Sequence, residues 1–241
     1  MKKIINKKLL ATLIAVVMLV PVFTACVKAP DADSNVNSEN TQNESVNNES
    51  VNDENQVANL DKDMEVTSIG SYTGIYMEDG TDEVVSDVLM IIVKNVGDKT
   101  VQYGEITMTA GDASAKFVMS TLPAGKSVVL LEQSRLEYNK KTDYTNIGSD
   151  NVAFFPEEPS KMEDTVKVQI LDGVINVTNI SDKNIDGEII IYYKNSATDL
   201  YYGGITYRSR VTGGLAKGET RQIAGGHASK TGSALMFVQI V

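Results

Sequence analysis

Hydrophobic and polar positions divide the chain into three regimes. Residues 9–20 form an apolar run of 12 residues, preceded by Lys2, Lys3, Lys7 and Lys8. From 27 to about 63 apolar residues are sparse and follow no period. From about 64 to 241 they alternate with polar ones, as at Ile91 and Val93 or Ile175 and Val177, and turn residues interrupt them. Alternation at period two marks half-buried strands, and this third regime shows no helical period. Many short strands separated by turn signals predict an all-β fold of sandwiches.

The third regime contains an internal repeat. Asn95-Val96-Gly97-Asp98-Lys99 matches Asn179-Ile180-Ser181-Asp182-Lys183. Gly104-Glu105-Ile106 then matches Gly187-Glu188-Ile189, and Leu122-Pro123-Ala124-Gly125-Lys126 matches Leu215-Ala216-Lys217-Gly218-Glu219. A last strand opens at Gly148-Ser149 or Gly232-Ser233. Asn followed by Gly-Asp or Ser-Asp is turn chemistry, because these side chains cap nearby backbone. Gly125 and Gly218 stand where a tight turn favours positive φ. Asp79-Gly80 and Asp172-Gly173, each between apolar stretches, read as hairpin turns. The boundary between copies is placed at Pro156-Glu157-Glu158-Pro159-Ser160. Two tandem sandwich domains, 64–160 and 161–241, are expected; one fused sandwich sharing strands is the alternative.

The basic start, the short apolar run and the small residues before Cys26 make a secretory signal, 1–25. The run is shorter than the roughly 20 residues that span a bilayer. Thr24, Ala25 and Cys26 resemble the lipobox of bacterial lipoproteins, with Phe23 where Leu is usual. The resemblance implies cleavage before Cys26 and a thioether-linked diacylglycerol (with palmitate-like acyl chains) on its sulfur. Two acyl chains suffice for stable anchoring. Cys26 is the only cysteine, so its lipidation leaves no disulfide, and the folded part is held by packing alone. The protein is expected to be exported and lipid-anchored to the outer face of the bacterial cell membrane.

Residues 26–63 read as a disordered tether. Positions 31–60 hold nine Asn, seven acids and no Lys or Arg, and Asn-Glu-Ser-Val-Asn occurs twice in succession at 43–52. Such a stretch buries too little apolar surface to offset its chain entropy. About 35 flexible residues reach roughly 30–35 Å. Without the four signal lysines the chain keeps 18 of its 22 basic residues against 32 acids, a net charge near −14. That excludes nucleic acid and a polybasic membrane-binding face.

The strand–turn–strand pattern of the repeat resembles the FxLYD-like group of immunoglobulin-like repeats in bacterial lipoproteins. Ile189-Ile190-Ile191-Tyr192-Tyr193 occupies the motif strand, and Leu215 to Glu219 its closing turn. The resemblance implies two immunoglobulin-like β-sandwiches in the cell envelope and carries over no functional residue.

Candidate chemistry is sparse. Asn to Leu spans 27 residues in the first copy and 36 in the second, and the excess falls at Tyr192, Tyr193, Tyr201 and Tyr202, with Tyr207 following. Tyrosine couples stacking area to a hydroxyl, so these five are the candidate ligand face, and alternate tyrosines filling the core are the competing reading. His227 is the only histidine, and no Gly-x-Ser-x-Gly elbow accompanies it. One His and one lipidated Cys do not make a zinc site. The acids at 78–83 do not have EF-hand spacing. No catalytic residue, metal or cofactor is expected. The reading is a non-catalytic binding or interaction module whose partner is cell-wall material or an envelope protein. A wall-directed hydrolase and the solute-binding lipoprotein of a transporter are the alternatives.

Replacing Cys26 with Ser should move the protein from the membrane pellet to the supernatant in a fractionation of expressing cells. A variant that stays in the pellet overturns the lipobox reading.

Overall fold

A computed structural model describes residues 58–241; the signal segment, Cys26 and the tether up to residue 57 lie outside the described residues. The described chain is all-β. Its strands are β1 (Ala58–Leu60), β2 (Met64–Ile75), β3 (Val84–Asn95), β4 (Val101–Ala110), β5 (Ala113–Leu122), β6 (Ser127–Leu131), β7 (Tyr144–Phe154), β8 (Val166–Leu171), β9 (Val174–Asn179), β10 (Ile189–Ala197), β11 (Leu200–Val211), β12 (Thr220–Ala224) and β13 (Ser233–Ile240). None of the described residues forms a helix long and apolar enough to cross a membrane.

The two copies share one sheet. Seven strands run in the order β1-β2-β3-β6-β11-β10-β13, and β5-β4-β7 and β12-β9-β8 form two smaller sheets. Strands of the first copy meet those of the second at β6 and β11, which pair in parallel over Ser127↔Leu200, Val128↔Tyr201 and Val129↔Tyr202. The first core holds Leu89, Ile91, Val93 and Leu130 against Ile106, Phe117 and Met119. The second holds Ile189, Ile191, Tyr193 and Val211 against Val166, Ile175 and Val177. On β10, Tyr193 lies in the second core, while the next side chain, Lys194, reaches the Ser120 carbonyl on β5. On β11, Tyr201 packs on the first core, while Tyr202 packs on a third cluster with Tyr76, Met77 and Leu131. Successive residues of a strand face opposite sides. The two small sheets therefore cover opposite faces of the shared sheet, each over its own half.

The folded part begins earlier than the tether boundary at 63. Ala58–Leu60 pairs with β2, Leu60 is buried in the first core, and Lys62 and Asp63 turn the chain with φ of 63° and 57°. Asp79-Gly80 is likewise no two-residue hairpin turn: β2 ends at Ile75 and β3 begins at Val84. Tyr76, Met77 and Glu78 between them are buried, and that burial overrides the local turn signal. Asp172-Gly173 does form the two-residue connection between β8 and β9.

The repeat landmarks converge on one device, built twice. Asn95 is fully buried; its Nδ2 donates to the Lys99 and Leu122 carbonyls at 2.8 and 2.9 Å, and its Oδ1 accepts the Gly97 N–H at 3.0 Å. Asn179 does the same with Lys183, Leu215 and Ser181 at 2.7, 2.9 and 3.0 Å. The Gly125 N–H donates to the Asn95 carbonyl, and the Gly218 N–H to that of Asn179. Gly125 and Gly218 adopt φ of 72° and 76°, a region costly for side chains with a Cβ. One amide thus ties the end of a central strand to its own turn and to the leucine opening the next one.

Asn179→Ala takes the donor from the buried Leu215 carbonyl and from the partly buried Lys183 carbonyl and should lower stability by about 2–4 kcal/mol. Chemical denaturation of the variant would show it, and the same loss is expected for Asn95→Ala.

Candidate functional site

The five candidate tyrosines divide among separate environments. Tyr193 is 2% exposed and belongs to the second core. Tyr207 stacks on it at 5.5 Å and on His227 at 4.5 Å, and burial pushes the Tyr207 phenol up to about 12. Tyr201 and Tyr202 point to the two sides of β11, into the first and third clusters. Tyr192 alone of the five lies on the face of β10 opposite Tyr193; it stacks on Phe237 at 4.1 Å and its hydroxyl donates to Gln239 Oε1 at 3.2 Å. Pairing explains the division: β11 carries four residues, 203 to 206, where β10 carries only Lys194.

That bulge is where the copies are joined, and it holds two buried, strongly shifted charges, Glu78 and Lys194. Past Val129↔Tyr202 the parallel ladder stops. The gap is filled by the Glu78 carboxylate, which accepts the Leu131 N–H at 2.9 Å and the Gly204 N–H at 2.7 Å. Lys194 is fully buried, and its Nζ donates to the carbonyls of Ser120, Gly204 and Ile205 at 3.0, 3.0 and 2.8 Å. The backbone of Gly204 thus donates to the acid and accepts from the base. A Cβ at Gly204 would stand 1.7 Å from the Val118 carbonyl oxygen, so only glycine lets β5 approach β11 here. Around this centre Ser120 Oγ hydrogen-bonds the Gly204 carbonyl, Lys126 pairs with Asp199 at 2.6 Å, and His227 Nδ1 lies 3.3 Å from Asp82 Oδ1.

Burial drives both shifts. It pushes the Glu78 carboxyl up to about 7, against the two amide donors and the Lys194 charge, and pushes the Lys194 ammonium down to about 7, against the Glu78 charge. The acids of the 78–83 loop have separate partners: Asp79 and Glu83 bind Arg135, and Asp82 meets His227. Arg135 lies 4.5 Å over the Tyr76 ring, and the Tyr76 hydroxyl donates to the Glu132 and Gln133 carbonyls. Nothing in the sequence marks Lys194 as buried, since lysine is the residue least often found so. The adjacent glycines at 203 and 204 are the one legible sign of a close approach.

A concave site lies elsewhere, beside the loop between β6 and β7. Glu132, 2% exposed, shapes the start of this loop: its Oε2 accepts the N–H groups of Ser134 and Leu136 and the Ser134 hydroxyl, each at 2.8 Å. The Leu136 carbonyl then accepts the Leu89 N–H, and the Tyr138 N–H donates to the Asp87 carbonyl, both at 2.7 Å. Between this loop, β2, β3 and the β4–β7 pair opens a cleft of about 560 Å³. Tyr138 and Tyr144 stack in its wall at 5.8 Å with rings 5° apart, and the Tyr144 hydroxyl is fixed by the Asn139 main chain. Ser71, Asp87, Glu137 and Lys140 supply its polar lining. Asp87 is held by the Ser71 and Ser86 hydroxyls and adopts a φ of 55°. The repeat analysis directs attention to the second copy and misses this cleft, because loop and strands meet there only through tertiary pairing. No family model matches the chain, and no curated protein is significantly similar to it.

Lys194→Met removes the ammonium donor from the carbonyls of Ser120, Gly204 and Ile205 and the charge that Glu78 faces, and should cost about 3–5 kcal/mol. Glu78→Gln with Lys194→Met removes both buried charges but leaves those carbonyls and one N–H without their charged partners, so it should restore only part of that loss. The pH dependence follows from the shifts. Glu78, raised from 4.5, contributes stability that is full below about 4.5 and lost as pH rises through about 7; Lys194, lowered from 10.5, contributes stability that is present above about 10.5 and lost as pH falls through about 7. Both costs coincide near pH 7. The double variant should gain most on the wild type there, and less at pH 5 and pH 9, in denaturation midpoints across that range.

Proposed function

We propose that this chain is a lipid-anchored, non-catalytic binding module of the bacterial cell envelope. In this reading residues 1–25 export it, a diacylglycerol on Cys26 holds it at the outer face of the membrane, and the tether presents two copies of an FxLYD-like, immunoglobulin-like unit fused through their shared sheet. The observation that carries the binding reading is the pre-formed cleft walled by Tyr138 and Tyr144. Its volume falls within the roughly 300–1,000 Å³ of small-molecule sites, and its loop is fixed by Glu132. The partner is cell-wall material.

A wall-directed hydrolase is the second reading, favoured by the presence of both Asp87 and Glu137 in the cleft. Glycoside hydrolysis needs one carboxyl kept protonated, usually by an apolar pocket. Asp87 and Glu137 are both exposed, so neither lies in such a pocket, and both Asp87 oxygens are already engaged by the Ser71 and Ser86 hydroxyls. The arrangement suits holding a ligand better than cleaving one.

The full chain carrying Cys26→Ser should co-sediment with isolated bacterial cell walls and release no soluble sugar from them. Protein that stays in the supernatant overturns the wall-binding reading. Steady release of reducing ends, lost in Glu137→Gln, replaces it with the hydrolase.

A further inference from the structure

We infer that the Tyr138 cleft is a saccharide site, taking a neutral, hydroxyl-rich ring of the wall polymer. The inference rests on the binding reading above and names its ligand class. Asp87 is already positioned: hydroxyls of Ser71 and Ser86 engage its two oxygens, its N–H donates to Thr73 Oγ1 at 3.1 Å, and its carbonyl fixes Tyr138. Each carboxylate oxygen has two lone pairs, so Asp87 keeps acceptor capacity for a ligand after these bonds. Glu137, next to Tyr138, is exposed, and among the described residues its carboxylate receives no hydrogen bond. Lys140 adds a donor in the same lining.

The aromatic part of the wall is also committed in advance. The hydroxyl of Tyr144 is bound to the Asn139 main chain, and its ring backs that of Tyr138 in a nearly parallel stack. Tyr138 thereby lines the cleft in a fixed orientation, in the same wall as Asp87, Glu137 and Lys140. A pyranose offers the complement: an apolar C–H face and a rim of hydroxyls that donate to carboxylates. A flat, fully apolar ligand would take water from Glu137 without replacing it and leave the spare acceptor capacity of Asp87 unused. An anionic ligand would meet two carboxylates against one ammonium. Sugar hydroxyls satisfy the acceptors at no charge cost, and the ring uses the tyrosine face.

The test uses the full chain carrying Cys26→Ser, titrated with N,N′-diacetylchitobiose and with cellobiose by calorimetry and by NMR of the Tyr ring protons. At least one sugar should bind and shift the Tyr138 and Tyr144 resonances. Glu137→Gln, an exposed isosteric change, should weaken that binding about tenfold, and Tyr138→Phe should retain it where Tyr138→Ala loses it. Tyr192→Ala should leave it unchanged. Wall co-sedimentation without binding of either sugar overturns the saccharide assignment and leaves the wall-binding reading standing. Sugar binding that survives both Glu137→Gln and Tyr138→Ala in a folded protein, or that is lost in Tyr192→Ala, places the site elsewhere and overturns the assignment to this cleft. Failure of both assays overturns both.

Discussion

The fold depends on how one gap in a parallel ladder is filled. Only three residue pairs join β6 to β11, and beyond them the strands diverge with backbone groups pointing into the opening. An unpaired buried amide or carbonyl costs as much as a lost hydrogen bond. The chain meets that demand with charges: Glu78 accepts two N–H groups, and Lys194 donates to three carbonyls. Both ions give up hydration in doing so, and apolar packing alone would serve stability better in many proteins. Apolar side chains, though, satisfy no amide. The joint is a case where backbone bookkeeping dictates the burial of a charge, and among the described residues no buried side-chain nitrogen or oxygen is left without a partner.

A second constraint acts within each copy. Asn95 and Asn179 make matching sets of hydrogen bonds, and the glycine of each closing turn returns one to the asparagine carbonyl. The repeated landmarks are therefore parts of one mechanical unit, spread over 27 residues in one copy and 36 in the other. The nine extra residues do not disturb it. They lengthen the β10–β11 hairpin, and the lengthened part, 200 to 206, supplies the surface that pairs with β6, receives Glu78 and meets β5.

Much of this was legible in the sequence. Period-two alternation marked strands such as β3 and β9, and the asparagine and glycine landmarks marked their turns. Elements governed by tertiary contact were not legible. β1 is three residues long in a polar stretch, too short to show a period, and it exists because β2 offers it an edge. The loop at 76–83 carries a strong Asp-Gly turn signal, outweighed by burial of Tyr76 and Met77. The tyrosine parities could not be counted because a bulge of several residues intervenes between Tyr202 and Tyr207. The cleft escaped for a related reason: Ser71, Asp87, Tyr138 and Tyr144 come from different strands and one loop, and no local motif binds them together.

The order of the shared sheet sets how a load applied to the chain would travel through it. The chain enters the fold at β1, on one edge, and ends after β13 on the other, six inter-strand steps or roughly 29 Å away. Tension arriving from the amino-terminal side first meets the short β1–β2 ladder, whose three pairs can be peeled one at a time. The next ladder, β2 to β3, is long and continuous apart from two register shifts, and resists as a whole. A pull between the amino terminus and the cleft runs through strands of the first copy only. The β6–β11 joint, with its buried charges, lies outside that path in the strand order, on the side of the second copy.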